Sequence, residues 1–197
     1  MTLAPFQFFD AGPLVDGDLE LVAPHASLVD DFLAAAHHPQ TLADDPAHAA
    51  YTRERVVDFL AAGPGGRYAP DDAGRVPAYA FWMRLRGRAA PLRVAGGISL
   101  RVSNSPQTVL YFGHVGYNVF PAARGHRYAA RAVKLLLPLA KAHGLDPLWI
   151  TCNPDNLASR RTIERVGGRL VNVVPLPPDH PLRERGDVEK CRYLIKV

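Results

Sequence analysis

The sequence predicts an α/β fold built around a sheet of mixed direction, and three features carry that reading. Three segments in series, AYAFWMRLRG, LRVAGGISLRV and TVLYFGHVGYNVF, combine β-branched and aromatic residues with turn residues between them, as strands of an antiparallel meander do. The apolar period then changes from 2 to 3.6, with Ala129, Val133, Leu136, Leu137 and Ala140 on one helical face. Next come the short apolar strand LWITC, a second helix from about Asn156 to Val166, and the strand RLVNVV. Strand–helix–strand–helix–strand after a meander is the order of a mixed α/β sheet.

The remaining elements follow in chain order. A short strand, Leu19 to Val22, precedes Pro24. Leu28, Phe32 and Ala35 mark one face of a first front helix, and Val56, Phe59 and Leu60 one face of a second. Between them HHPQTLADDPAH, with two prolines and two adjacent acids, reads as a loop. GPGGRYAPDDAGRVP is too rich in Gly, Pro and Asp to hold regular structure for long. The long helix ends at His143-Gly144, and Pro138 inside it removes one bond to the carbonyl of Lys134, which predicts a kink. PLPPDHPLRERGDVE is a polar excursion before a last strand around CRYLIKV. No internal repeat breaks the pattern, so residues 1–197 read as a single domain, with a helical front part over 19–78 and the sheet over 79–197.

Composition narrows the function classes. With 48% hydrophobic and 21% charged residues the chain has the make-up of an ordinary globular protein. No apolar run approaches the roughly 18 residues of a membrane span, and MTLAPFQFFDAGPLVDGD lacks the basic start and apolar core of a signal peptide. Cys152 and Cys191 each sit in an apolar run and read as buried thiols of a reducing compartment, with no Cys/His spacing of a zinc site. These features predict a cytoplasmic protein without metal and without a membrane partner. A net charge of +4 suits a phosphate-bearing small ligand, and no basic platform interleaved with aromatic residues points to nucleic acid.

The chemistry concentrates in Tyr117–Ala130, YNVFPAARGHRYAA. Here a strand runs through a short Arg/Gly turn onto the long helix. A helix start leaves about four N–H groups unpaired and carries about half a positive charge, so flanking arginines make it an anion site suited to a pyrophosphate.

The segment resembles the acetyl-CoA-binding motif of the GNAT N-acetyltransferase superfamily. Val119 stands at the strand end, followed by Pro121, Arg124, Gly125 and Ala129. Downstream, the helix from Asn156 through Ser159, Ile163 and Glu164 to Gly167 resembles that family's second motif, at the matching separation. The resemblance implies a mixed, mostly antiparallel sheet flanked by helices, with central strands splayed around acetyl-CoA. It implies an N-acetyltransferase in which an acceptor amine, on a small molecule or a peptide, attacks the thioester directly; a homodimer is compatible with it. The Val119 N–H would lie near the thioester carbonyl. Backbone amides of Arg124, Gly125, His126, Arg127, Tyr128 and Ala129 would cradle the pyrophosphate. Asn156 and Ser159 would meet the pantetheine arm, the alternatives being a helix cap for Asn156 and a packing role for Ser159. Gly167 reads as a helix-ending glycine.

Two positions depart from the family pattern. Arg127 replaces a glycine, and either crowds the turn or adds a guanidinium to the phosphates. Ile163 stands where a tyrosine often protonates the leaving thiolate. These departures support an alternative reading, a GNAT-fold module that binds CoA or another nucleotide without turnover. His114, three residues before Tyr117, is a candidate base or else a hydrogen-bonded strand histidine. Tyr117 is a candidate acid from the strand, and no base lies near either cysteine in sequence to favour a covalent route.

Overall fold

A computed structural model describes residues 6–72 and 74–197. Met1–Pro5, the start of the stretch read as lacking a signal sequence, and Ala73, within the Gly/Pro/Asp-rich loop, lie outside the described residues. The first sheet runs β1 (Val15–Asp16), β2 (Leu19–Val22), β4 (Ala78–Leu85), β5 (Val94–Arg101), β6 (Val115–Val119), with β3 (Arg67–Tyr68) paired to β4. The second holds β7 (Leu148–Cys152), β9 (Glu189–Ile195) and β8 (Arg169–Pro175), with β9 central. Every strand pair in the two sheets is antiparallel.

The helices are α1 (Val29–Ala36), α2 (Pro39–Asp44), α3 (Arg53–Ala62), α4 (Tyr128–Ala142) and α5 (Leu157–Arg165). β6 and β7 meet only where they begin. The His114 N–H donates to the Trp149 carbonyl at 2.7 Å, and the Trp149 N–H donates to Nδ1 of His114 at 2.9 Å. Beyond that point β6 pairs only with β5, and β7 only with β9, so the two strands splay.

The first sheet has two unlike faces. Tyr79, Phe81, Met83, Ile98 and Leu100 pack with Ala132, Val133, Leu136, Leu139 and Ala140 of α4 in the main core. On the other face Phe32 of α1 stacks on Trp82 with ring centroids 4.8 Å apart, within a smaller cluster that includes Val56 and Phe120. The rest of that second face is floored by small residues: Ala80, Ser99 and Gly116 lie side by side across β4, β5 and β6.

Four sequence expectations change. TVLYFGHVGYNVF is not one strand: Thr108–Phe112 forms a π-helical turn, Gly113 turns the chain at φ 68°, and β6 starts at Val115. HHPQTLADDPAH is not a loop. Pro39 opens α2 with its fixed φ, and the His38 ring caps the helix by accepting from the Gln40 N–H. Phe59 is left 41% exposed, stacked on Tyr68, while Val56 is buried. On α4 the buried stripe takes Ala132 and Leu139 and leaves Leu137 half-buried. That helix continues through Pro138, which lies on its exposed side, where the missing N–H costs least.

Candidate active site

The end of β6 is set by backbone contact. Arg101 N–H donates to the His114 carbonyl and Phe120 N–H to the Ala95 carbonyl, so even-numbered residues of β6 turn their peptide groups toward β5. Tyr117 and Val119 therefore direct theirs into the gap beside β7. Opposite Val119, Gly96 has φ 155°, and a Cβ there would come within 2.1 Å of the Asn118 carbonyl oxygen and 2.9 Å of the Val119 Cα. Only glycine lets β5 approach β6 this closely.

After Phe120 the chain makes one 3-10 turn over Pro121–Ala123, and then the start of α4 opens. Among the described residues, the N–H groups of Gly125, His126, Arg127, Tyr128, Ala129 and Ala130 donate to no protein acceptor. Unpaired donors at a helix start suit an anion. Side chains around it are committed elsewhere. Arg131 bonds Asp16 (2.7 Å) and Asp18 (2.8 Å), and the Tyr128 hydroxyl donates to Asp18 (2.8 Å), which ties the β1–β2 hairpin to α4. The Arg131 guanidinium and the Tyr128 hydroxyl hold the Asp18 carboxyl below the usual carboxylate range. Arg124 donates from Nε to the Val119 carbonyl (3.0 Å) and clamps both oxygens of Asp44 on α2 (2.9 and 2.7 Å), lowering that carboxyl as well. His126 is exposed, with its ring tilted toward Tyr128.

Arg127 forms no ion pair among the described residues, and it alone among their non-glycine members has positive φ, at 61°. A side chain in this left-handed region costs about 1–2 kcal/mol. Arg127→Gly is expected to raise stability by about 1 kcal/mol in chemical denaturation. It should also weaken CoA while leaving dephosphorylated pantetheine unaffected in calorimetry. CoA binding that tightens instead would show that the guanidinium only crowds the turn.

Across the gap, Asn156, which lines the cleft, caps α5 by accepting from the Ser159 N–H at 2.9 Å. The Tyr117 hydroxyl donates to the Ser159 carbonyl (3.3 Å) and shares a hydrogen bond with the Ser159 Oγ (2.9 Å). Burial pushes the Tyr117 phenol up to about 12, against the opposing effect of Ser159. Ile163 is fully buried in the core; its neighbours Ser159 and Thr162 line the cleft instead. Gly167 ends the helix at φ 89°.

These elements enclose two adjoining chambers. One, about 470 Å³, lies between β6, the start of α4 and α5, and is lined by Val119, Arg124, Gly125, Arg127, Asn156 and Ser159. The other, about 870 Å³, lies over the small-residue floor beneath α1, α3 and the segment after α2. His48, Tyr117 and Asn118 border both.

His48 was not among the sequence candidates. Its Nδ1 lies 3.1 Å from the Asp45 carbonyl and 3.5 Å from the Asp45 carboxylate, and its ring packs edge-on against Phe120. Donation from Nδ1 to the carbonyl leaves the Nε2 lone pair free. The available signal was Pro39 after His38 and Pro46 after Asp45, two helix-opening prolines that fix the fold of this segment.

The structure does not bring His114 to either chamber. It is fully buried, its Nδ1 accepts from Trp149, and Nε2–H donates to the Ser103 carbonyl at 3.0 Å. Burial, with Arg101 nearby, lowers its pKa against the pull of that carbonyl. Cys152 lines neither chamber, and burial pushes its thiol up to about 11. Among the described residues no His, Cys, Asp and Glu cluster suited to a metal occurs, and no helix is long and apolar enough to cross a membrane.

Comparison with known proteins gives the same architecture. Residues 18–169 match the family model described as an acetyltransferase (GNAT) domain. No curated protein sequence matches the chain. Among solved structures, it is similar to the microcin C7 self-immunity acetyltransferase MccE in complex with acetyl-CoA and AMP (TM-score 0.67, 14% identity, covering 92% of this chain and 94% of that one). It is similar also to RimL, the ribosomal L7/L12 α-N-protein acetyltransferase in complex with coenzyme A (0.64, 16%, 93% and 96%). A GNAT-family acetyltransferase from Bacillus anthracis aligns comparably (0.62, 16%, 93% and 98%). Matched over most of its length by that family model, the chain belongs to the GNAT acetyltransferase family.

Proposed function

We propose that the protein moves an acetyl group from acetyl-CoA to the amine of a small-molecule or peptide acceptor by direct attack, within one acyltransferase domain spanning residues 1–197. The observation that carries this reading is the meeting of the two chambers at His48, Tyr117 and Asn118, beside the outward N–H of Val119. The smaller chamber fits the coenzyme: the free N–H groups at the start of α4 and the Arg127 guanidinium take the phosphates, and Asn156 and the peptide groups of β6 take the pantetheine amides. Residues 19–78 shape the acceptor side, and 79–197 carry the sheet and coenzyme side. Coenzymes bound to MccE and RimL support this assignment. Two buried free thiols facing each other across β7 and β9 favour the reducing cytoplasm.

In this scheme the Val119 N–H polarises the thioester carbonyl as charge builds on its oxygen. His48 accepts the proton that the attacking amine releases. The C–S bond breaks as the new C–N bond completes, and the thiolate takes a proton from the Tyr117–Ser159 hydroxyl pair. Because burial keeps the Tyr117 phenol protonated through pH 10, the rate should show no alkaline limb there. The limb should appear only as pH rises toward about 12. A pH–rate profile with a limb near 10 would remove Tyr117 from this role.

The decisive experiment pairs melting with thiol release. Acetyl-CoA at about one hundred times its Kd should stabilise the protein by roughly 2.7 kcal/mol, and an amine panel should release free CoA thiol. Stabilisation without thiol release from any amine would instead establish the non-catalytic binding module. Absence of both would remove the coenzyme assignment.

A further inference from the structure

The larger chamber has an unbalanced charge. Arg55, Arg101 and Arg185 line it, and none forms an ion pair among the described residues. Its one acidic lining residue, Asp45, is occupied locally, accepting from the Ala47 N–H at 2.9 Å and facing His48 at 3.5 Å. Arg101 is the deepest of the three cations. It rises from the last position of β5 and lies across β6 where Gly116 leaves room: a Cβ on Gly116 would come within 3.3 Å of both terminal guanidinium nitrogens. Its protein acceptors are two backbone carbonyls, Phe112 (3.4 Å) and Gly113 (3.3 Å), both from one nitrogen. Burial lowers its pKa from the ordinary arginine value, the mark of a cation partly withdrawn from water without a counter-charge. A guanidinium placed on a chamber floor of small residues, with donors to spare, is complementary to a planar or tetrahedral anion.

We propose that the acceptor is an amine carrying a carboxylate or phosphate, and that Arg101 binds that anion at the far end of the larger chamber. Gly116 and Val119 are three residues apart on β6, so the anion sits roughly 10 Å from the acetyl-transfer point at 3.3 Å per residue. That spacing excludes free α-amino acids, whose amine and carboxylate share one carbon. It selects acceptors with the anion several bonds from the amine. The aromatic side chains of Phe32, Tyr51 and Phe59 along the chamber suit an apolar or aromatic body between the two groups.

The inference rests on the acetyltransferase reading for which group reacts, so its test reads binding as well as turnover. Calorimetry on the CoA-saturated protein would compare ω-aminooctanoate, its neutral amide, ω-aminohexyl phosphate and glycine. The two long anionic amines should bind at least about ten-fold tighter than the amide, and glycine should not compete; which of the two binds better identifies carboxylate or phosphate as the natural group. Arg101→Gln should erase the preference with the affinity for CoA unchanged, and Arg101→Lys, which keeps the charge, should retain it. Equal binding of acid and amide, or a preference that survives Arg101→Gln, would overturn the proposal. Should Arg101→Gln fail to fold for want of its bonds to residues 112 and 113, the wild-type comparison still decides. Anion preference without thiol release from acetyl-CoA would sink the transferase reading alone. Equal release from acid and amide would sink this one alone.

Discussion

His48→Ala is expected to lower kcat by about 10²- to 10⁴-fold near neutral pH, the usual contribution of a positioned base. The reasoning starts from geometry: His48 borders both chambers, and its Nδ1 is directed at Asp45, which leaves Nε2 to the acceptor. An alkyl amine has a reference pKa of about 10.4, so at pH 7 nearly all of it arrives protonated and must lose that proton. The deficit should therefore shrink as pH approaches 10, where the amine arrives neutral. Stabilisation by CoA should persist in the variant, because the proposed phosphate donors lie at the start of α4, away from His48. A loss of equal size at every pH would make His48 a positioning residue instead. The corresponding change at His114 should damage the fold, because it strands the buried Trp149 N–H and the Ser103 carbonyl, at a cost of about 1–3 kcal/mol for each unsatisfied group.

Gly96→Ala should have the largest effect on the architecture of the site. The new Cβ would meet the Asn118 carbonyl oxygen at 2.1 Å, in a backbone conformation that disfavours any side chain. Overpacking and conformational strain together predict a loss of about 2–4 kcal/mol in chemical denaturation. Because the displaced atoms belong to Asn118 and Val119, the variant should also lose most of its stabilisation by acetyl-CoA. Gly97→Ala is the control. Its Cβ would meet only the Asn118 side-chain oxygen at 3.3 Å and the Phe81 carbonyl at 3.6 Å, and both properties should survive. If Gly96→Ala folds as stably as the wild type and responds equally to acetyl-CoA, the close approach does not set the end of β6.

The parts of the fold legible in the sequence are those governed by local periodicity. Leu148–Cys152, the four α4 positions Ala129, Val133, Leu136 and Ala140 and the Gly167 stop follow from apolar spacing and glycine geometry, and the structure keeps them; Leu137 is the position on that stripe that it moves. The segment Thr108–Phe112 was misread because aromatic and β-branched composition is shared by strands and by tight helical turns against a core; Gly113 was the only local hint. α2 is hidden in the sequence because Pro39 and Pro46, which read as helix breakers, instead open α2 and the 3-10 turn after it. At the proposed site, the unpaired N–H groups from Gly125 to Ala130 are contiguous in sequence, so one motif carries them all. His48 and Arg101 lie outside it. They reach the chambers from residues far along the chain from that motif, and only the pairing of β5 with β6 and the packing of the front segment bring them to Tyr117. Asn156 shows the opposite limit: a helix cap and a contact to the pantetheine arm read as alternatives in the sequence, yet the cap uses only the amide oxygen and leaves the residue lining the cleft.

The clamp of Arg124 has a thermodynamic consequence. One guanidinium holds the Val119 carbonyl, at the proposed coenzyme side, and Asp44, one residue before the segment that carries Asp45 and His48 on the proposed acceptor side. If either ligand shifts the position of this clamp, the other feels it, and the linkage is necessarily reciprocal: the factor by which coenzyme sharpens acceptor affinity equals the factor by which acceptor sharpens coenzyme affinity. Cutting the clamp with Asp44→Asn would bring both factors toward unity together, turning two cooperative ligands into independent ones.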